Sequence, residues 1–494
     1  MRRQVVVAGH GLAGTRFVEK LCGETGAAEK YEVTVLGYET RGGYNRVLLT
    51  EVLAGSRAEG DVFLHTPRWY ADRGVTVRAG VRVVAIDRNR SAVFCDDGTL
   101  IGYDHLVLAT GSSPMLPPIR GLRRGDQLLP GCFAFRTLAD CAALVAAAGQ
   151  AKRAVVVGGG VLGLEAARGL AERGIRVVVV HRPEFLMNNQ LDAEAATVLR
   201  RVLQDMGTAC HVATGASAVE GDGWVAGVRL SDRFVLDCEL LVFSCGTRPN
   251  VQLAAAASLA TGRGVLVDDA LRSITDPRIL AIGDCAEHRG QVYGLALPAL
   301  EQAAVAAATV AHGGPPVPYS GSRPVIRLKA DGIDLAAMGD SCDDPHETGD
   351  DAAEVVKFVD PVRGTYKKLV IRNGRLTGAV MFGDVGTVGT VTVAYDRQTA
   401  LPPDRLHLLF GGSGERPRGG DPAALPDDAL VCLCNSVPAA DIRACVARGA
   451  RSVADVAGRT RATTGCGTCR GSVAALLAAG CAAEEETMRY AKAG

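Results

Sequence analysis

The sequence predicts an α/β architecture with two Rossmann-like units, followed by a small α+β domain and a small helical domain that carries cysteines. Three observations predict it. A strand, a glycine turn, a helix and a second strand occur in that order at 4–36 and again at 154–180. From about residue 320 the pattern changes to short alternating apolar segments at 354–359, 366–371 and 376–382. Near the end, Cys432 and Cys434, then Cys466 and Cys469, pair up by spacing, whereas most other cysteines stand singly.

Residues 4–8 form an apolar strand, and a helix from about 14 to 22 with a strand at 32–36 completes a βαβ unit. The second copy has its strand at 154–157, its helix at 161–173 and its next strand at 176–180. Further strand runs at 105–109 and 240–244 each end in Gly-rich punctuation. The expected organisation is therefore a discontinuous first nucleotide-binding domain at 1–120 and 245–318, with a second inserted at 121–244. A small α+β domain follows at 319–410, and then a Gly-, Pro- and charge-rich linker at 411–428. The cysteine domain is expected at 429–482, with helical pattern at 438–447 and 471–479, and a tail at 483–494.

Composition narrows the function. Apolar residues make up 48% and charged residues 22% of the 494, which supports buried cores and excludes wholesale disorder. Fifty-four basic residues balance 54 acidic ones, so no electrostatic footprint points to nucleic acid or to an anionic membrane. The longest apolar stretch, 294–312, is interrupted by Glu301 and Gln302, and the N-terminus reads as a strand rather than a leader. No membrane partner and a cytoplasmic location are expected. The 15 cysteines are an odd number, and the lone ones read as small buried hydrophobes, so a disulfide framework is not expected.

Gly9, Gly11 and Gly14 stand as G-x-G-x-x-G directly after a strand and before a helix. Such glycines let the backbone turn tightly and approach a pyrophosphate, whose charge the helix N-terminus stabilises. Glu39, beyond the second strand, is the candidate for the ribose hydroxyls. Gly158, Gly160 and Gly163 repeat the spacing and are followed by Glu165. Two fingerprints in one chain point to two dinucleotides. Further segments close other strands: Ala109-Thr110-Gly111-Ser112-Ser113-Pro114, Cys245-Gly246-Thr247-Arg248-Pro249-Asn250, and Ile282-Gly283-Asp284.

In this order the motifs resemble the two-dinucleotide flavoprotein family. That resemblance implies FAD at the first fingerprint and NADH or NADPH at the second, with Asp284 holding the flavin ribityl chain and Thr110 and Gly111 among the cofactor contacts. It also places Glu165 near the flavin edge as the candidate catalytic carboxylate; a carboxylate favoured by the helix dipole is the plainer reading. Arg46 is expected to pair with FAD phosphate, or else to be a solvated surface arginine. After the second strand of the second unit come His181 and Arg182 rather than a carboxylate, and an arginine there accommodates a 2′-phosphate. Neither nucleotide-binding unit contains C-x-x-C or C-x-x-x-x-C, so a disulfide-reductase mechanism lacks its reagent.

The four C-terminal cysteines suit either a structural zinc or a 2Fe-2S cluster, although the one-residue gap between Cys432 and Cys434 departs from zinc-ribbon spacing. Val431-Cys432-Leu433-Cys434-Asn435 with Thr464-Gly465-Cys466-Gly467-Thr468-Cys469 resembles the bacterioferritin-associated-ferredoxin type of domain, which implies a 2Fe-2S cluster. Cys445 and Cys481 read as core. Tyr44-Asn45-Arg46, His181 with Leu186-Met187 and Gln190-Leu191-Asp192, and Gly283 to His288 through Leu295 are similar to the N-terminal half of NADH-dependent nitrite reductase large subunits. The siroheme-bearing half is missing, so the chain looks like the FAD-dependent electron-transfer subunits of assimilatory nitrate reductases. This implies electron flow from NAD(P)H through FAD and 2Fe-2S to a catalytic nitrate (or nitrite) reductase subunit. The same-class alternatives are a dehydrogenase component for nitrite reduction or a rubredoxin or ferredoxin reductase; from another class, a redox sensor that does not turn over.

Overall fold

The computed structural model describes residues 2–315, 317–342, 353–410, 425–432, 437–463, 469 and 471–481. Cys434, Cys466, residues 411–424 of the expected linker and the expected tail lie outside the described residues. The chain divides into two compact units. One comprises Met1–Leu49, Ala58–Pro114 and Thr247–Ser322; the other comprises Thr50–Arg57, Met115–Gly246 and Arg323–Gly494.

The first unit is built on a parallel five-stranded sheet in the spatial order Ile279–Ala281, His105–Leu108, Arg3–Ala8, Tyr31–Gly37, Val75–Ala79. Val5, Val7, Val35, Leu106 and Val107 are wholly buried, as strands covered on both faces require. The fingerprint helix Leu12–Cys22 is capped by Gly11 and starts two residues earlier than the sequence pattern predicts, because the turn before it is short. The apolar stretch near 300 is helix Ala296–His312. No helix among the described residues is long and apolar enough to cross a membrane.

The second unit repeats the arrangement: a parallel sheet ordered Cys132–Ala134, Leu240–Phe243, Arg153–Val157, Arg176–Val180, Ala209–His211. Helix Val161–Glu172 follows its glycine turn. Gly169 on that helix lets the backbone of Thr50 and Ala54 approach, since an added Cβ there would meet both at 3.3 Å. Arg173 donates to the carbonyls of Leu53 and Val52, which ties the short segment Thr50–Arg57 to this unit rather than to the continuous 1–120 stretch expected from sequence.

The α+β region is an antiparallel sheet ordered Val325–Ala330, Ile333–Gly339, Arg375–Phe382, Thr365–Arg372, Glu354–Asp360. Its strand Thr365–Arg372 carries Tyr366, Lys367 and Lys368, all at or below 1% exposure. Alternation along the strand sends their side chains to opposite faces. Tyr366 Oη (2.6 Å) and Lys368 Nζ (2.9 Å) both donate to the Asp192 carboxylate, which also N-caps helix Ala193–Asp205. Lys367 Nζ donates to Asp384 Oδ2 and to the Leu409 carbonyl, each at 2.6 Å. Burial opposes ionisation of Asp192, but the Tyr366 and Lys368 hydrogen bonds outweigh it and hold the carboxyl below the usual range.

The cysteine domain keeps helices Ala439–Ala447 and 471–481 where the pattern places them. It adds helix Val453–Thr460, which sequence reading missed although Ser452 and Asp455 form a reciprocal capping box. Cys445 is buried in the small core with Ile442, Val456 and Val473, and Cys481 packs against it, as expected of core cysteines.

Because the buried Lys368 amine donates to Asp192, Lys368→Met should take one of three donors from that carboxylate and weaken the second unit by about 2 kcal/mol, a drop of several degrees in its calorimetric transition. A shift within error of wild type would show that the pair contributes nothing to docking this sheet on helix Ala193–Asp205.

Candidate functional site

Both glycine turns are built by the same close approaches. Gly9 has φ +125°, and a Cβ on it would lie 2.0 Å from the carbonyl oxygen of Ala109; Gly158, at φ +123°, would meet that of Ser244 at 2.1 Å. The third glycines seat the helices: a Cβ on Gly14 would meet Gly9 O at 2.1 Å, and one on Gly163 would meet Gly158 O at 1.9 Å. The middle glycines differ, for nothing lies within 4 Å of the Cβ position at Gly11 or Gly160. A pyrophosphate needs just such an open face beside a helix N-terminus, so both turns fit a dinucleotide. Beside the first turn, His10 Nδ1 and Thr15 Oγ1 are buried with no hydrogen-bond partner among the described residues, which fits a bound polar group.

The candidates for FAD come together within the first unit. Glu39 lies beyond strand Tyr31–Gly37 and accepts from Tyr44 Oη at 2.7 Å and from Arg46. Glu39 and Arg46 are therefore paired with each other, and the Tyr44 phenol and the Glu39 carboxylate push the guanidinium pKa up against the opposing effect of burial. Arg46 is held in this cluster and is not a solvated surface side chain. Gly111 has φ +66°, with open space where a side chain would stand. Thr110 Oγ1 donates to Asn250 O (3.0 Å), Asn250 Nδ2 donates to Thr110 O (2.8 Å), and Ser112 Oγ donates to Asp284 Oδ2 (2.7 Å). Gly283 N donates to the buried Gln302 Oε1 at 2.7 Å, which fixes the turn that carries Asp284.

Sequence reading missed Asn250, Ser112 and Gln302 as site residues. The signal for Gln302 was present: a polar residue inside an otherwise apolar helix. It missed His10 as well. That ring accepts from Gly43 N (3.3 Å) and bonds Tyr70 Oη (2.9 Å) through Nε2, and burial, with His65 adding to it, lowers its pKa to about 4.

In the second unit, Glu165 is 7% exposed on helix Val161–Glu172. The first turn of that helix holds no acidic residue, so Glu165 lies beyond the reach of the dipole effect that the plainer reading invokes. His181 is, with Arg182, an expected cofactor contact of the second unit. Its ring turns inward, with Nδ1 accepting from Gly159 N (3.0 Å) and Nε2 facing Asn188 Oδ1 (3.2 Å). The reason is space, since a Cβ on Gly159 would meet His181 Cγ at 2.8 Å: the imidazole fills the place a side chain at 159 would take. Arg182, the next residue, is exposed.

Of the cluster cysteines, Cys432 and Cys469 are described, and both are buried. Thr463 N donates to Cys469 Sγ at 3.3 Å, as suits a thiolate ligand. The thiols of the nucleotide-binding regions are of another kind. Burial pushes Cys132 and Cys238 up to about 12, and Cys210 and Cys245 up to about 11, so these sulfurs stay protonated and are poor nucleophiles.

Residues 3–309 match the pyridine nucleotide-disulphide oxidoreductase family, 324–398 the rubredoxin NAD+ reductase C-terminal domain, and 430–479 the BFD-like 2Fe-2S binding domain. Over 477 residues the chain is 33% identical to the NAD(P)H nitrite reductase of Bacillus subtilis, an alignment covering 96% of this chain and 57% of that protein. Over 479 residues it is 32% identical to the assimilatory nitrate reductase electron transfer subunit of the same organism, covering 96% of this chain and 59% of that one. The chain thus spans less than two thirds of either relative, and length does not separate them. In fold it is similar to the putidaredoxin reductase–putidaredoxin complex, with a TM-score of 0.73 at 23% identity over 82% of this chain and 95% of that one.

Two predictions follow from the first turn. Gly11→Ala should leave the apoprotein's melting temperature within about a degree of wild type, since the Cβ meets nothing, while FAD retention through gel filtration falls several-fold; unchanged retention would remove Gly11 from the site. His10 titrates at about 4 folded against 6.5 ordinarily, so the folded state binds fewer protons between those values. Its contribution to stability is complete above about pH 6.5 and is lost as pH falls toward 4. His10→Asn should flatten that limb in apoprotein melting curves taken from pH 7 to 4.5, and an identical limb would assign it to other groups.

Proposed function

Because the chain belongs to the pyridine nucleotide-disulphide oxidoreductase family, we propose that it is the electron-transfer component of a nitrate- or nitrite-reducing system, taking electrons from NAD(P)H and delivering them to a catalytic partner subunit. The observation that carries this reading is the joining, in one chain, of that family's two-dinucleotide region with a 2Fe-2S binding domain. When bound, FAD converts the hydride pair of a reduced nicotinamide into single electrons that a 2Fe-2S cluster accepts. The protein's own groups bind and orient. Gly9, Gly11 and Gly14 take the FAD pyrophosphate, Glu39 the adenosine ribose, Arg46 a phosphate, and Asp284, with Thr110 and Gly111, the ribityl side. Gly158, Gly160 and Gly163 take the second pyrophosphate, and Glu165 is the carboxylate assigned to the nicotinamide side.

Cys432, Cys434, Cys466 and Cys469 are the proposed cluster ligands. With Cys132, Cys210, Cys238 and Cys245 protonated and no C-x-x-C pair in these regions, the cluster is the proposed route by which electrons leave. A second reading has its own support: the match of 324–398 to a rubredoxin NAD+ reductase domain favours a small diffusing carrier as acceptor. A non-turnover sensor is the third alternative. We place the protein in the cytoplasm with its partner.

Purified protein should hold about one FAD and two irons per chain and reduce small dyes with NAD(P)H. Cys466→Ser should keep flavin bleaching and dye reduction within about twofold of wild type while transfer to a nitrate reductase catalytic subunit is lost. Equal loss of dye reduction with FAD still bound would place the cluster upstream and overturn the order; transfer to rubredoxin but not to the catalytic subunit would select the second reading.

A further inference from the structure

The two coenzymes left open by that reading differ by one phosphate, and in dinucleotide folds the residues that follow the second strand are the ones that tell them apart. In a dinucleotide fold the residue here ordinarily carries a carboxylate that accepts from the adenosine ribose hydroxyls, and an arginine nearby goes with a 2′-phosphate instead. His181 cannot substitute for the carboxylate. Since Nδ1 accepts from the Gly159 amide, its proton sits on Nε2, which donates to Asn188 Oδ1. Both nitrogens are spent, and burial lowers the pKa so that the ring is neutral. It offers the ribose neither an acceptor nor a charge.

Arg182 is placed otherwise. It is exposed and makes no hydrogen bond or ion pair with any described residue. Its backbone is nonetheless fixed on both sides: His181 N donates to His211 O (2.7 Å), Thr214 N to His181 O (3.3 Å), and Ala213 N to Pro183 O (2.8 Å). Its stem passes over Gly215, where an added Cβ would stand 3.8 Å from Arg182 Cγ. Ser231 holds Gly215 in turn through two bonds to its carbonyl, from N at 2.8 Å and Oγ at 3.0 Å. The result is a guanidinium on a rigid base with its donors unspent, one residue beyond the His181 ring that bonds the Gly159 amide of the glycine turn. The nearest acid in sequence, Glu184, lies beyond Pro183 and does not pair with it.

We propose that this edge of the second unit is a 2′-phosphate site, that the chain selects NADPH over NADH, and that Arg182 is the residue that sets the preference. The proposal rests on the electron-transfer reading above, because it presumes that the second fingerprint takes the pyridine nucleotide. A charge-assisted fork on a phosphate discriminates by roughly one to two orders of magnitude.

The test uses the full-length, FAD-loaded protein. Calorimetric titration with 2′,5′-ADP and with 5′-AMP, neither of which can donate a hydride, should give at least about tenfold tighter binding of the former. The NADPH-to-NADH ratio of kcat/KM with a dye acceptor should exceed about ten. In Arg182→Leu both preferences should fall at least about tenfold, and Arg182→Lys, which keeps the charge without the fork, should fall between. Equal binding of the two adenosine phosphates by wild type, or an unchanged ratio in Arg182→Leu, would overturn the proposal. Flavin bleaching by NADH in strong preference to NADPH would overturn it while leaving the electron-transfer reading standing. Bleaching by neither coenzyme would overturn that reading, and this proposal with it.

Discussion

A missing atom governs both nucleotide-binding units. At Gly9 and Gly158 the strand's end passes so near the neighbouring strand that a methyl group would sit inside a carbonyl oxygen, and at Gly14 and Gly163 the helix approaches the turn just as closely. Those two approaches set where each helix begins and which amides point out of the turn. The parallel sheets, the buried valines and the open faces at Gly11 and Gly160 are arranged around them. An alanine at the third glycine would have to push the helix off the turn, and one at the first would have to part the two strand ends, before either disturbed any ligand.

This constraint is legible in sequence because it concerns backbone, and backbone needs are written as glycine at fixed spacing. The order of strands and the second fingerprint follow from the same code. What the spacing cannot carry is the partner of each polar side chain. Asn250 and Ser112 become parts of the first site only when strand ends far apart in sequence meet. Lys367 and Lys368 are less legible still. Two adjacent lysines in a strand read as a solvated edge, yet both amines are buried on opposite faces, because Asp192 and Asp384 are brought to them by different elements. His181 is hidden for a related reason: it follows the strand where a coenzyme contact is expected, and only the three-dimensional gap above Gly159 shows that the ring also fills a place inside the protein.

Local surroundings also divide the cysteines by chemistry. At Cys132, Cys210, Cys238 and Cys245 apolar surroundings keep the sulfur protonated, so those cysteines serve as small packing groups. In the C-terminal domain Cys469 receives a backbone N–H, a contact that favours the thiolate. Cys132, Cys238 and Cys469 are all buried, yet the first two lie in apolar packing while the third meets a backbone donor.

The two turns are near copies except for one exchange. In the first, His10 follows the leading glycine and Gly37 closes the strand; in the second, Gly159 follows the leading glycine and His181 closes the strand. Each slot holds one imidazole and one glycine, for a Cβ on Gly37 would lie 2.8 Å from His10 Cβ, much as one on Gly159 would crowd His181. Seen as an evolutionary path, neither arrangement reaches the other by single steps without cost. A half-exchanged intermediate has two rings competing for one slot, or none supporting the turn. The two positions are therefore expected to change together in descendants of this chain, and whichever copy moves its histidine off the strand end regains there the option of a carboxylate.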